Sequence, residues 1–402
     1  MRSIKAMTIH EQLRNHLREE CDAIYATRLD ALLDVAYALQ KSNDLCLSRM
    51  GRKLPGEIGI KHKIKKVDRL EGNKHLHTEL NELYRGLSSY VFAFTNQIKT
   101  LPIVVDLCFV KDDRAIQMLS AEIATKGRTI PLYREVFGEG SLKKRAKEFL
   151  GNLKRCIPEG REVVIVMDAG FFEDWFTEIE LLKWHWICRI RQGRSIKLAE
   201  RDDWMSIKDF IEEVGTKTKS YKDVLLTKAH HHSCRLVTTY KKNILKRRTE
   251  TSSLKKVREI GNRAYLRSAK EPWILATNLP ESYKATEIIN LYKKRMQIEE
   301  SFRDMKSHQF GLSGRDIRTT NIDRWGVKML LAAIVQIVYW VVGVIGHQQG
   351  MQKYFQVNTV KDKKIFSNFT LGQLIIEHDQ LDKLKIDYDN LPGLIEMELA
   401  DV

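Results

Sequence analysis

From residue 1 to about 95, apolar positions recur at helical spacing among charged ones, with few glycines and little β-branched alternation, which predicts a run of amphipathic helices. Within that run, DLCLSRMGRKL (44–54) and KHKIKKVDRL (61–70) flank PGEIGI. Pro55, Gly56 and Gly59 break the helix there, giving a helix–turn–helix outline. At Pro102 the texture changes. IVVDLC (103–108) and EVVIVM (162–167) are short, largely apolar runs, as in strands buried on both faces. Residues 115–125 and 128–137 read as two further strands with Lys126-Gly127 in the turn, and 141–156 as a basic amphipathic helix. Helix 172–183 and strand WHWICRI (184–190) follow. Strands alternating with helices after a three-strand start predict an α/β domain with a mixed sheet.

Residues 194–270 are more polar, rich in Lys, Thr and Ser, and read as a mostly β insertion with KKNILKRR (241–248) in a basic loop at its tip. PWILATN (272–278) resumes a buried strand. The 17 residues 329–345, with Gln336 as their one strongly polar member, are at the short edge of a membrane span. With Lys328 and His347 at the flanks, a helix buried on all sides of a large core is the better reading. The expected divisions are a helical DNA-binding domain (1–95), a core in two parts (96–193 and 271–346), the insertion (194–270), and a helical C-terminal region (347–402) that permits dimerisation.

Charge narrows the partner. Lys and Arg outnumber Asp and Glu 68 to 52, a net +16 spread along the chain, which points to a polyanion. From 49 to 74 there are nine Lys/Arg against three Asp/Glu. Ile64, Val67 and Leu70 would turn inward there, leaving Lys61, Lys65, Lys66 and Arg69 outward, against DNA phosphates or as a solvated basic face. The six cysteines show no metal-finger spacing and read as reduced thiols. The N-terminus turns charged too early for a signal peptide.

The stretch 288–306, IINLYKKRMQIEESFRDMK, is the one around which the chemistry gathers. On one continuous helix, Tyr292, Arg295, Glu299 and Lys306 would share a sector of roughly 60° beside an apolar stripe of Leu291, Ile298, Phe302 and Met305. A carboxylate between two cations suits a metal ligand flanked by phosphate grips; alone, it equally suits a surface helix with i,i+4 ion pairs. Asp106 lies within a buried strand and Asp168 ends another. A carboxylate there is costly unless paired or bound to a cation, although a lone one is most often a satisfied structural Asp or a helix cap. Three acids from separate elements form a more specific pattern, since paired metal ions acting on a phosphodiester need oxygen ligands of this kind.

These residues carry a resemblance. Tyr292, Arg295, Glu299 and Lys306 match the Y-x2-R-x3-E-x6-K signature of bacterial insertion-sequence transposases of the family called IS four, which includes the transposon-ten and transposon-five enzymes. Asp106 and Asp168 fall where that family's catalytic aspartates lie, and KGRTIPLYREVF and EPWILATNLP look like its other shared segments. The resemblance is closest to the transposon-ten branch and covers essentially the whole chain. It implies a ribonuclease-H-like core interrupted by a β-rich insertion, with Asp106, Asp168 and Glu299 as catalytic ligands of Mg²⁺, for which Mn²⁺ can substitute. Tyr292, Arg295 and Lys306 would hold transposon-end phosphates. Trp273 falls where relatives stack an aromatic on a flipped base, and is equally a core tryptophan on a strand. The implied activity is cut-and-paste transposition on double-stranded DNA: nicking, hairpin formation and opening, then strand transfer, by a homodimer on paired ends. The implied setting is the bacterial cytoplasm and nucleoid, with no membrane.

Two competing readings stand beside this one. Relatives often place a small polar residue after the first aspartate, where this chain has Leu107, Cys108 and Phe109, as a decayed copy that still binds ends would allow. A plain nuclease is the other, against which the basic N-terminal unit argues. The histidines 230–232 cannot all face one ion and read as a surface loop.

Overall fold

The computed structural model describes residues 9–95, 98–111, 115–140, 142–215, 217–240, 271–307, 310, 312–314, 316–357, 359, 365–387 and 390–400. In chain order the helices are α1 (Ile9–Glu20), α2 (Ala26–Ser42), α3 (Leu47–Lys53), α4 (Ile60–Glu71), α5 (Lys74–Phe92), α6 (Ala146–Cys156), α7 (Glu173–Leu181), α8 (Ile207–Glu213), α9 (Ala285–Lys293), α10 (Arg295–Lys306), α11 (Ile322–Gln348), α12 (Asn368–Glu377) and α13 (Leu391–Ala400). The strands are β1 (Thr100–Phe109), β2 (Gln117–Ala124), β3 (Thr129–Phe137), β4 (Glu162–Met167), β5 (His185–Ile190), β6 (Ser195–Lys197), β7 (Met205–Ser206), β8 (Lys219–Leu226), β9 (His232–Thr239) and β10 (Trp273–Thr277). The architecture is mixed α/β, divided into one compact unit of residues 1–163 and 294–402 and another of 164–293.

The first unit is built around α11. Its apolar run is buried throughout, so it is a core helix, as its composition predicted. It packs against α2, α5, β3 and α12. At α12 the backbones nearly touch: a Cβ on Gly343 would meet Asn368 O at 1.7 Å, and one on Gly372 would meet Tyr339 O at 1.8 Å. Only a residue without a side chain fits either place.

The N-terminal helices join this core through charge as well as packing. Lys328, on α11, is 1% exposed and bonds to Leu45 O and to Glu71, itself 1% exposed at the end of α4. Arg324, one turn earlier on α11, pairs with Asp68 at 2.8 Å. Burial pushes the Glu71 carboxyl up and Lys328 draws it back. Helices α3 and α4 are the expected pair around the 55–59 turn, and Lys61, Lys65, Lys66 and Arg69 are exposed while Val67 and Leu70 are buried.

Strands β3, β2 and β1 form an antiparallel meander. Its β2–β3 turn places Gly127 at φ +84, with the Thr125 N–H and hydroxyl both donating to Arg128 O. In the second unit β4 and β5 run parallel, and β10, β9, β8, β6 and β7 add antiparallel neighbours in that order. The expected insertion therefore hydrogen-bonds directly to the strand that resumes after it, β9 on β10, and also carries the short helix α8. Its basic stretch, 241–248, lies outside the described residues. His230 and His231 are exposed, but the surface-loop reading of the three histidines fails for His232. That ring opens β9, sits 3.1 Å from Glu180 and packs on Phe176 and Trp186, because the strand's alternation turns it inward.

Two stability outcomes follow from the first unit. Lys328→Met should cost about 3–5 kcal/mol by taking the ammonium partner from buried Glu71, and Lys328→Met with Glu71→Leu should recover most of it in a denaturant titration. Gly343→Ala should cost about 1–3 kcal/mol by the same measurement, because backbone rather than a movable side chain opposes the new methyl.

Candidate active site

The sequence offered 288–306 as one helix; the structure makes it two, with Lys294 between them as a turn residue. The hydrogen-bond ladder restarts there, the Gln297 N–H donating to Lys294 O three residues back. No glycine or proline marks the place. Helix α9 buries Ile288, Ile289 and Tyr292 in the second unit, while α10 buries Ile298, Ser301, Phe302 and Met305 in the first. Tyr292 lies on α9, and Arg295, Glu299 and Lys306 on α10. Burial holds the Lys294 ammonium at a pKa of about 8.

In the first unit, α10 lies on the meander and is fixed by polar contacts as well as by its apolar stripe. The Ser301 hydroxyl accepts from the Thr129 N–H at 2.8 Å and meets the Thr129 hydroxyl at 2.9 Å. One turn on, Asp304 pairs with Arg128. Beneath them Arg134 and Glu122, neither side chain exposed, pair at 2.7 Å, with Ser120 and Thr129 bonded to the same carboxylate. Ser120 is the cross-strand partner of Asp106. The sheet thus carries a buried polar network on the face from which Asp106 projects.

This attachment brings Glu299 and Arg295 to Asp106. The Arg295 guanidinium, its side chain 7% exposed, bridges the two acids: Nη2 to Glu299 Oε1 at 2.6 Å and Nη1 to Asp106 Oδ2 at 3.5 Å. Asp106 Oδ1 accepts the Leu107 N–H at 2.8 Å. An open cleft of about 560 Å³ is lined by Asp106, Leu107, Glu299, Phe302, Arg303, Lys306 and Ser307. Two acids and two further cationic side chains thus face one space. Burial raises the neighbouring Cys108 thiol to about 11, against the pull of Lys306.

In the second unit, Asp168 follows β4. Its carbonyl accepts from the Cys188 thiol and from the Phe171 N–H, which shapes the turn into α7. Its carboxylate oxygen Oδ1 is buried with no hydrogen-bond partner among the described residues, the nearest cation being Arg191 at 3.8 Å. Tyr292 is 2% exposed and stands edge-on to half-buried Trp273, ring centres 5.0 Å apart.

Within neither unit do three described His, Cys, Asp or Glu side chains gather as a ready metal site. The donors nevertheless suit a hard divalent cation: Asp106 and Glu299 offer carboxylate oxygens to one cleft without a lining His or Cys, and Asp168 holds an unsatisfied buried oxygen. The sequence missed the supporting network of Glu122, Thr129, Arg134 and Ser301, and it missed Arg303. A buried Glu and Arg on adjacent strand-like runs was the available signal.

No curated protein matches the chain. The family model described as Transposase DDE domain matches residues 113–335, a span that includes Asp168 and Glu299 and begins just after the strand of Asp106. That match covers more than half of the 402 residues, and the chain belongs to the transposase DDE domain family, whose members are enzymes acting on DNA.

Proposed function

We propose that the chain is an active DNA transposase of the IS four type that binds the terminal inverted repeats of its own element and moves it by cut-and-paste. The observation that carries this reading is the convergence of Asp106 and Glu299 on one cationic cleft in a chain of the DDE family. The mixed α/β architecture agrees with a ribonuclease-H-like core.

In this proposal Asp106, Asp168 and Glu299 are the catalytic acids and hold Mg²⁺ or Mn²⁺. A bound divalent cation would supply Lewis-acid activation of the attacking hydroxyl and neutralise charge at phosphorus. Lys306 and Arg303 line the cleft beside the acids and would hold the DNA backbone there. The α10 attachment fixes Glu299 relative to Asp106 so that this geometry needs little rearrangement. Residues 1–95 would carry end binding, with Lys61, Lys65, Lys66 and Arg69 on the exposed face of α4 against phosphates. Trp273, half-buried against Tyr292, is the candidate to stack a flipped base during hairpin formation. Residues 347–402 would supply contacts of a homodimer on paired ends.

A second reading, an end-binding copy without catalysis, is favoured by the Leu107–Cys108–Phe109 run after Asp106. Purified protein, a linear duplex bearing the element's end, and Mg²⁺ against EDTA separate the two. A metal-dependent nick followed by a hairpin supports the first reading; binding without cleavage supports the second. Asp106→Asn, Asp168→Asn and Glu299→Gln should each lower nicking by roughly a thousandfold, the loss of several kcal/mol of transition-state stabilisation, while end binding stays within about twofold. Near-normal nicking by any of them would remove that residue from the site. Lys61→Ala with Lys65→Ala should weaken duplex binding and reduce its salt slope by about one for each phosphate left without its lysine, read by fluorescence anisotropy across salt concentrations.

A further inference from the structure

Two carboxylates that open on one cleft repel each other unless a cation stands between them. Here the cation is part of the chain. Arg295 is nearly buried, one Nη group lies on Glu299 and the other faces Asp106. A guanidinium in that bridge holds Glu299 Oε1 and faces Asp106 Oδ2, so it competes with a divalent cation for the same two carboxylates.

We propose that Arg295 is a built-in counter-ion that keeps the cleft closed to divalent cations until DNA is bound. The inference rests on the reading of Asp106 and Glu299 as cation ligands and adds an order of events to it. Arg303 and Lys306, from the same helix, line the same cleft, so a phosphodiester entering it meets a cationic wall. A phosphate diester is a strong acceptor for guanidinium, and pairs with it through two parallel hydrogen bonds. Backbone phosphates arriving at the cleft thus offer Arg295 a new partner, and the two carboxylates are freed together. Cation and DNA should then bind with positive coupling, and the coupling must be reciprocal. The free protein holds its acids neutralised and does not carry a loaded hydrolytic centre.

The test measures Mn²⁺ binding to the full chain by electron paramagnetic resonance of the free ion, with and without a linear duplex. Wild type should bind Mn²⁺ weakly alone and roughly tenfold more tightly with duplex, within the usual range of such couplings. Arg295→Gln should bind Mn²⁺ roughly tenfold more tightly than wild type without DNA, and the duplex should add little. Arg295→Lys, which keeps the charge, should remain close to wild type and guards against a variant that merely unfolds. If Arg295→Gln binds Mn²⁺ no better than wild type, while adding Asp106→Asn to it abolishes binding, the counter-ion role is overturned and the cation site stands. If Asp106→Asn in the Arg295→Gln background leaves Mn²⁺ binding unchanged, the cleft is not the cation site and both readings fall.

Discussion

One long helix with no polar face has to be covered on every side, and the first unit is the solution to that demand. Every residue from 325 to 346 is buried. The N-terminal helices cover α11 on one side and β3 on another, and α12 comes so close that two glycines are obligatory. Because α11 is fixed by packing in several directions, so is the meander it supports, and so is the strand that carries Asp106. The buried pair of Lys328 with Glu71 belongs to the same logic: here the apolar helix accepts a charge, and it uses that charge to set the end of α4. Breaking a pair of this kind from one side is costly, because it leaves a buried ionisable group without its partner.

The site repeats this scheme at a smaller scale. The apolar stripe of α10 gives it affinity for the meander, and Ser301 and Asp304 decide its register, through Thr129 and Arg128. A slide of one residue would separate those partners and take Glu299 away from Asp106. The acids are thus positioned by residues that perform no chemistry, which is the usual division of labour where geometry must hold within fractions of an ångström.

What the sequence disclosed follows the range of each signal. IVVDLC and EVVIVM read as buried strands because apolar residues dominate both, and the basic face of α4 is legible from the spacing of Val67 and Leu70. The break at Lys294 was not legible, since no glycine or proline marks it and Lys294 keeps helical backbone angles. Helix α8 did have a local mark: Ser206 caps it by accepting the Asp209 N–H, the Ser-x-x-Asp pattern of a helix start, hidden in a segment whose polarity suggested strands. The obligatory smallness of Gly343 and Gly372 depends on which helix meets which, and no single segment encodes that. Asp106 and Asp168 stand out because a carboxylate in or at the end of an apolar strand is conspicuous, and Glu299 because it falls between two cations on one helical face; the bridge through Arg295 depends on which elements meet.

The division of the signature stretch at Lys294 has an evolutionary side. Tyr292 answers to the packing of one unit and Glu299 to that of the other, so a change in either core reaches one end of the short motif first. Substitutions in the second unit can drift the aromatic end while the acid stays in place, and the reverse holds for the meander.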